Sequence, residues 1–389
     1  MKEKPAVPEE AAAAAPVAGT RKPLNPRIWI TVFTGNSGLT HYSYCLTRAL
    51  IDSGADAALI TNVNYELGFM PAGFPIVEIF HRSRRYPVDI IRFWRLFLAK
   101  RPDIVHYQSF LKFPLLELLL VKLQKKKGTR IIYTAHDWLP HHARFYHRAL
   151  FRRFYRVFDR VIVHSRQGEE FLAGELGVPR EKLVAIPHGN YGFFATDPGL
   201  TRTAAREKLE LEPGRFWFLF FGRIDPHKGL DLALKALARI EGPGLIIAGD
   251  PSGGSLEEYM SLVRELGIEN RVRVFPGHIP VEEVQVYFRA ADAVVLPYRE
   301  SSTSGIIHLA MGFEMPVVAT SVGGLADVVE DGVTGLTVPP GDEEALAAAL
   351  KQLAGNRETQ RRLSEGWSAV KERYSWEAIA RQTLAVYTE

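Results

Sequence analysis

The 389-residue sequence holds a single cysteine, Cys45. That excludes an internal disulfide and any cysteine-based zinc cluster, and it suits a reducing compartment. No apolar run approaches the roughly 18 residues of a membrane-spanning helix; the longest, Phe113 to Val121, is broken by Glu117. Residues 1–25 are rich in Ala, Pro and Glu and lack the apolar core of a secretory signal, so they read as a disordered tail. No Gly-x-Gly-x-x-Gly follows the first strand-like segment, which argues against a dinucleotide oxidoreductase. None of the 12 histidines forms a metal-ligand spacing with carboxylates, so no metal site is expected.

What remains is a chain 47% hydrophobic and 24% charged, long enough for two domains. Its net charge of +4 conceals a division. Residues 1–195 carry 28 basic and 16 acidic side chains, a net +12, and residues 196–389 carry 20 and 28, a net −8. Halves of opposite sign suit different partners.

Short β-branched runs alternate with stretches of helical period. Ile28–Phe33, Ala57–Ile60, Ile104–His106, Arg130–Thr134 and Arg160–Val163 read as buried strands. After a Gly/Asp/Pro-bearing break from Pro187 to Pro198 the pattern restarts, with strands at 217–221, 245–248, 271–275, 293–296, 316–319 and 335–338. Buried strands alternating with helices predict parallel sheets covered on both faces. The expected organisation is the tail 1–25, a Rossmann-like acceptor-side domain over 26–192, a second Rossmann-like domain over 193–373, and a terminal helix over 374–389. Ligands of such sheets bind at the carboxyl ends of the strands.

Three motifs fall at such ends. Gly222-Arg223-Ile224-Asp225-Pro226-His227-Lys228-Gly229 follows a strand and opens a helix. It sets two cations beside helix amides, a plausible diphosphate site or a solvated basic loop. Pro297-Tyr298-Arg299-Glu300-Ser301-Ser302-Thr303-Ser304-Gly305 offers hydroxyls, amides and one carboxylate; it also reads as an ordinary capped helix start. Ala135-His136-Asp137 ends a first-domain strand and would aim an imidazole into a cleft, although a lone histidine is more often structural.

These segments, with Ser37-Gly38, Ile186-Pro187-His188-Gly189, Ala248-Gly249-Asp250, Pro316-Val317-Val318-Ala319-Thr320 and Gly323-Gly324-Leu325, resemble the retaining, nucleotide-sugar-dependent glycosyltransferases of the GT-B fold, family 4. The resemblance runs from Ile28 to Glu389 and is most specific in the second domain. It implies an α/β fold of two facing Rossmann-like domains and transfer of a hexosyl unit from a nucleotide-diphosphate sugar to a glycan or lipid-linked acceptor. It assigns Arg223 and Lys228 to the diphosphate, Glu300 to the transferred sugar and His136 to the same sugar from the opposite domain. Gly38, Gly222 and the stretch Ser302, Thr303, Ser304 and Gly305 would line the donor, and Gly277 and Ile279 would frame the base. Front-side substitution would need no enzyme nucleophile and no metal cofactor, because fixed cations and amides stabilise the leaving group.

One position departs from the pattern. Where the family carries a ribose-binding Glu eight residues after the first, this chain has His308, and Ser301-Ser302-Thr303 replaces a Gly-Phe-Gly. Either His308 substitutes or ribose recognition has moved; a non-catalytic nucleotide-sugar or glycan-binding relative is the alternative function.

The basic first half adds a further expectation. His81–Arg101 and His141–Arg160 interleave arginines with aromatics, a pattern that suits an anionic bilayer surface or a buried aromatic face with solvated arginines. Family context favours a cytoplasmic protein, peripheral at the inner membrane face, with no nucleic-acid partner.

Overall fold

The computed structural model describes residues 26–389 except 71, 82–84, 110–112, 140–144, 252–254 and 302–303. The tail expected to be disordered, the helical reading of His141 and His142, and the site residues Ser302 and Thr303 lie outside the described residues.

Two parallel sheets form the frame. The first contains β1 (Arg27–Thr31), β2 (Asp56–Asn62), β3 (Ile76–Phe80), β4 (Ile104–Tyr107), β5 (Arg130–Ala135), β6 (Arg160–Val163) and β7 (Leu183–Ala185), in the order β3-β2-β1-β4-β5-β6-β7. The second contains β8 (Trp217–Phe221), β9 (Gly244–Gly249), β10 (Val272–Pro276), β11 (Ala293–Leu296), β12 (Val317–Thr320) and β13 (Gly335–Val338), in the order β10-β9-β8-β11-β12-β13. In both sheets the order reverses beside the first strand, at β1/β4 and β8/β11. That is the switch point where a doubly wound sheet opens a crevice at its carboxyl edge.

The central strands β4, β8, β9, β11 and β12 are buried along their whole length because helices cover both faces. All five residues of β8 are buried, and its register against β9 pairs Trp217 with Gly244 and Phe221 with Ala248. Gly244 is required by its partner: a Cβ there would meet the Trp217 ring at 2.4 Å.

The chain's last helix, Trp376–Thr388, lies back on the first domain. Ser375 caps it by accepting from the Ala378 amide at 3.1 Å, as its place in the sequence suggested. It packs on the first helix, Gly38–Asp52. Tyr387 Oη meets His106 Nδ1 at 2.6 Å inside the first domain, and the Trp376 indole donates to the Asn190 carbonyl at 2.6 Å. Gly189 leaves room for that indole, which would lie 2.5 Å from a Cβ.

The basic helix Tyr86–Lys100 resolves the two readings of its aromatics. Tyr86, Phe93 and Phe97 are buried in the first-domain core, so they are not a surface motif. Its outward face instead sets Arg92, Arg95 and Lys100 among the exposed aliphatics Val88, Ile91 and Leu98. Leu115 and Leu119 of the helix Pro114–Lys126 are exposed as well. Among the described residues no helix is long and apolar enough to cross a membrane.

Candidate active site

A pocket of about 410 Å³ opens between the carboxyl edges of the two sheets. Its second-domain wall begins where β8 ends. Gly222 adopts φ +93°, and Gly249, at the end of β9, has φ +146°. A Cβ on Gly249 would sit 1.9 Å from the Gly222 carbonyl oxygen, so only glycine lets the two strand ends approach this closely. That approach leaves bare backbone facing the pocket.

Arg223 and Lys228 project into this pocket. Asp225 Oδ2 accepts from Arg223 Nε at 2.5 Å, which fixes the guanidinium beside the pocket mouth. Lys228 is partly buried, with its ammonium 5.8 Å over the Tyr298 ring. Burial pushes its pKa down from 10.5 to about 8; Asp225 opposes that shift and the Arg223 charge adds to it. Among the described residues Arg223 pairs with Asp225, whereas Lys228 makes no ion pair within 4 Å. Gly305, the first residue of the helix Gly305–Gly312, lies in the same wall and presents a helix amino terminus, which favours anions. Gly277 and Ile279 complete the far end.

The first domain closes the pocket with the loop before Gly38. Thr34, Ser37 and Thr40 hydroxyls tie that loop together, at 2.8 Å between Thr34 and Ser37. The Tyr191 hydroxyl donates to the Gly38 carbonyl at 3.0 Å. Gly38, Gly222, Arg223, Lys228, Gly277, Ile279 and Gly305 are therefore brought together from both domains.

Four expected residues lie elsewhere. His308 does not face this pocket. Residues 305 and 309 of its helix line the donor side, whereas Ser304 and His308, one step of about 100° around the helix, line a second cavity. His308 is buried and stacks on His188, with centroids 4.2 Å apart and planes at 23°; burial lowers its pKa to about 3. The side chains the helix turns toward this pocket are Ile306 and Leu309. Glu300 is exposed and borders a separate depression with Tyr259 and Asp231. Its neighbour Arg299 is anchored there by a two-pronged bond to Asp231, at 2.9 and 2.7 Å.

His136 is buried behind the pocket, 2.9 Å from the Gln108 side chain and 3.1 Å from His164 Nε2. Burial and the neighbouring imidazoles hold it well below the usual histidine range, so it is neutral. Neutral rings fix the proton order. His164 Nδ1–H donates to the Ile186 carbonyl at 3.1 Å, so its Nε2 accepts from His136 Nδ1. His136 Nε2 is then an acceptor, and the Gln108 carboxamide meets it with the nitrogen that otherwise has no partner.

One pocket element has no local sequence signature. Glu66 Oε1 meets His41 Nε2 at 2.6 Å, and Glu66 Oε2 lies 3.5 Å from His278 Nε2 of the second domain. All three line the donor pocket, next to Gly277 and Ile279. A carboxylate thus reaches the Gly277/Ile279 end of the pocket from the opposite domain.

Two facing Rossmann-like domains with a glycine-walled, basic pocket between them define a GT-B architecture built to hold an anionic ligand. The family model for glycosyl transferases group 1 matches residues 201–367, and that for glycosyltransferase family 4 matches residues 36–189. The chain belongs to this group 1/family 4 glycosyltransferase family of enzymes. The D-inositol 3-phosphate glycosyltransferase of Nocardia farcinica is 35% identical over 239 residues, covering 59% of this chain and 52% of the relative. That of Saccharomonospora viridis is 38% identical over 203 residues, covering 49% and 47%. The chain spans about half the length of the curated relatives it matches. Among solved structures, Anabaena HepE in complex with UDP-glucose superposes with a TM-score of 0.78 at 19% identity, covering 94% of this chain and all of that one (100%). Sucrose-phosphate synthase of Thermosynechococcus elongatus gives 0.76 at 22% identity, covering 94% and 98%. These two likenesses establish the fold.

Proposed function

We propose that the protein moves a hexosyl unit from a nucleotide-diphosphate sugar to a glycan or lipid-linked acceptor with retention of configuration. The observation that carries this reading is the convergence of Arg223, Lys228 and the Gly305 helix end on one pocket walled by Gly222 and Gly249. Bare backbone admits the diphosphate closely, the guanidinium gives planar hydrogen bonds, and the partly buried ammonium supplies a weakly screened charge. These groups stabilise charge as it develops on the departing diphosphate. The acceptor hydroxyl attacks from the face the diphosphate leaves, and a leaving phosphate oxygen takes its proton. No protein nucleophile takes part, and the fixed cations serve without a metal cofactor. Gly277 and Ile279 frame the base, and Glu66 stands at the same end to meet sugar or ribose hydroxyls.

The acceptor side is the basic domain. Val88, Ile91 and Leu98 on the outer face of Tyr86–Lys100, flanked by Arg92, Arg95 and Lys100, suit a helix lying on an anionic leaflet at the cytoplasmic membrane face. Nucleic acid is not part of this reading.

A thermal-shift screen of nucleotides and nucleotide sugars, followed by donor hydrolysis and transfer assays, tests the reading. A ligand at 100 times its Kd raises stability by about 2.7 kcal/mol. Stabilisation by UDP-glucose or another nucleotide sugar with turnover of that donor is expected; stabilisation with no turnover on any acceptor leaves a binding protein.

A further inference from the structure

The donor pocket contains two polar groups that face each other from opposite domains without a formed bond between them. Glu66 follows β2 in the first domain, and its surroundings fix it before any ligand arrives. Its amide donates to the Gly35 carbonyl at 3.0 Å, which ties its loop to the one before Gly38. Its Oε1 accepts from His41 Nε2 at 2.6 Å, and the His41 ring packs edge-on against Phe194, in the crossover between the domains, at 5.1 Å. The carboxylate side chain is 14% exposed. Its Oε2 is the part left over. That oxygen lies 3.5 Å from His278 Nε2, beyond the roughly 2.7–3.2 Å of a formed N–H···O bond. His278 stands between Gly277 and Ile279 on the second domain and is 64% exposed.

The position of this pair defines what fits it. On the donor reading, Arg223 and Lys228 take the diphosphate, and Gly277 and Ile279 frame the base. A ribose joins those two groups, so its hydroxyls fall between them. The helix Gly305–Gly312 offers the hydroxyls no polar side chain, because Ile306 and Leu309 are what it turns into the pocket. Among the described lining residues the carboxylates are Glu66 and Asp250. Vicinal hydroxyls are held side by side on a ribose ring. They match a carboxylate oxygen and an imidazole held side by side: one hydroxyl donates to Glu66 Oε2, and the other meets His278 Nε2.

We propose that Glu66 and His278 form a clamp for the ribose diol of the bound nucleotide, with one jaw on each domain. The proposal rests on the nucleotide-sugar reading and deepens it by naming the residues that select a ribonucleotide. Glu66 is the fixed jaw, held by Gly35 and His41, and His278 is the exposed one. Neither domain completes the clamp alone, so the nucleoside bolts the two together. A nucleotide lacking one of these hydroxyls keeps its base and diphosphate contacts but no longer bridges the cleft.

The experiment is calorimetric titration of the full chain with UDP, 2′-deoxy-UDP and 3′-deoxy-UDP, on the wild type and on Glu66→Ala, His278→Ala and Asp250→Asn, each checked by a melt. The wild type should bind UDP about tenfold more tightly than either deoxy analogue, the scale of one charge-assisted hydrogen bond. In Glu66→Ala and in His278→Ala, UDP should weaken by about tenfold while the analogues change little, so that the preference falls to within about twofold. A purely structural role for either residue would weaken all three ligands alike and leave the preference intact. His278→Ala keeps the test decisive if Glu66→Ala unfolds, because position 278 is exposed. The proposal is overturned if the wild type binds the three ligands equally, if the preference survives in His278→Ala or in a folded Glu66→Ala, or if it is lost in Asp250→Asn and kept in the other two. Each of those results leaves the donor reading standing. Failure of UDP itself to bind the wild type overturns the donor reading, and the clamp with it.

Discussion

Replacing Lys228 by Met should stabilise the unliganded protein while removing donor binding. The ammonium sits partly buried in the donor pocket with a pKa of about 8, against 10.5 for the free side chain. Because the folded value lies below the unfolded one, the unfolded chain binds more protons between about pH 8 and 10.5, and stability rises with pH across that window. Below pH 8 the whole cost of the buried charge is present. A shift of about 2.5 units corresponds to an upper bound of roughly 3 kcal/mol. Lys228→Met removes that cost, and Asp225 keeps its bond to Arg223. The variant should therefore melt several degrees higher at pH 7, and the difference should close as pH approaches 10.5.

Donor binding runs the other way, because only the charged ammonium attracts the diphosphate. A group with this pKa is about 90% charged at pH 7 and about 10% charged at pH 9. The Kd for UDP-glucose, whose diphosphate does not titrate there, should rise about tenfold over that interval. Lys228→Arg should flatten the profile, since a guanidinium stays charged. Titration calorimetry at pH 7, 8 and 9 with parallel melts reads both effects. A Lys228→Arg variant with the wild-type pH profile, or a Lys228→Met variant less stable than wild type at pH 7, would refute the reasoning.

Turnover should persist in excess EDTA; loss restored by Mg²⁺ or Mn²⁺ would show a metal requirement. Glu66→Gln should raise the UDP-glucose Kd about three- to tenfold, the scale of one charge-assisted hydrogen bond, and an unchanged Kd would remove Glu66 from donor recognition. Gly249→Ala should cost more than about 4 kcal/mol, because its Cβ meets the Gly222 carbonyl at 1.9 Å. Gly242→Ala, also at positive φ (+96°) but facing open space, should cost only about 1 kcal/mol, and similar melts for the two would contradict the packing argument. Ile91→Glu with Arg92→Glu and Arg95→Glu should abolish salt-sensitive binding to anionic vesicles, and undiminished binding would place the membrane contact elsewhere.

Period and burial made most of the frame legible. In the second sheet β8, β9, β11 and β12 are buried apolar runs that only a sheet covered on both faces needs, and all six strands form in the expected places. β3 and β7 escaped the sequence reading for local reasons. Glu78 interrupts the apolar run of β3, and β7 is only three residues long. In the site, the segments carrying Gly222, Arg223, Lys228, Gly277 and Gly305 met as strand ends must in a doubly wound sheet. His308 did not, because counting eight positions from Glu300 fixes a place in the chain but not the phase of the helix. One residue of phase turns the imidazole into the other cavity and leaves Leu309 facing the donor. The Glu66–His41–His278 group had no local trace, since its members come from a loop and a helix of one domain and a turn of the other.

The bond between His106 and Tyr387 spans 281 residues of chain. Synthesis at about 5–20 residues per second puts roughly 15–60 s between the appearance of the two partners. From the emergence of β7 onward, the first domain has its strands but not the helix that covers Tyr42 and seals His106. A nascent chain stalled before Trp376 would hold a first domain with an open apolar flank, a substrate for chaperones. The second domain, by contrast, has its whole sheet made once Val338 has emerged. The half of the enzyme made first is thus the half completed last.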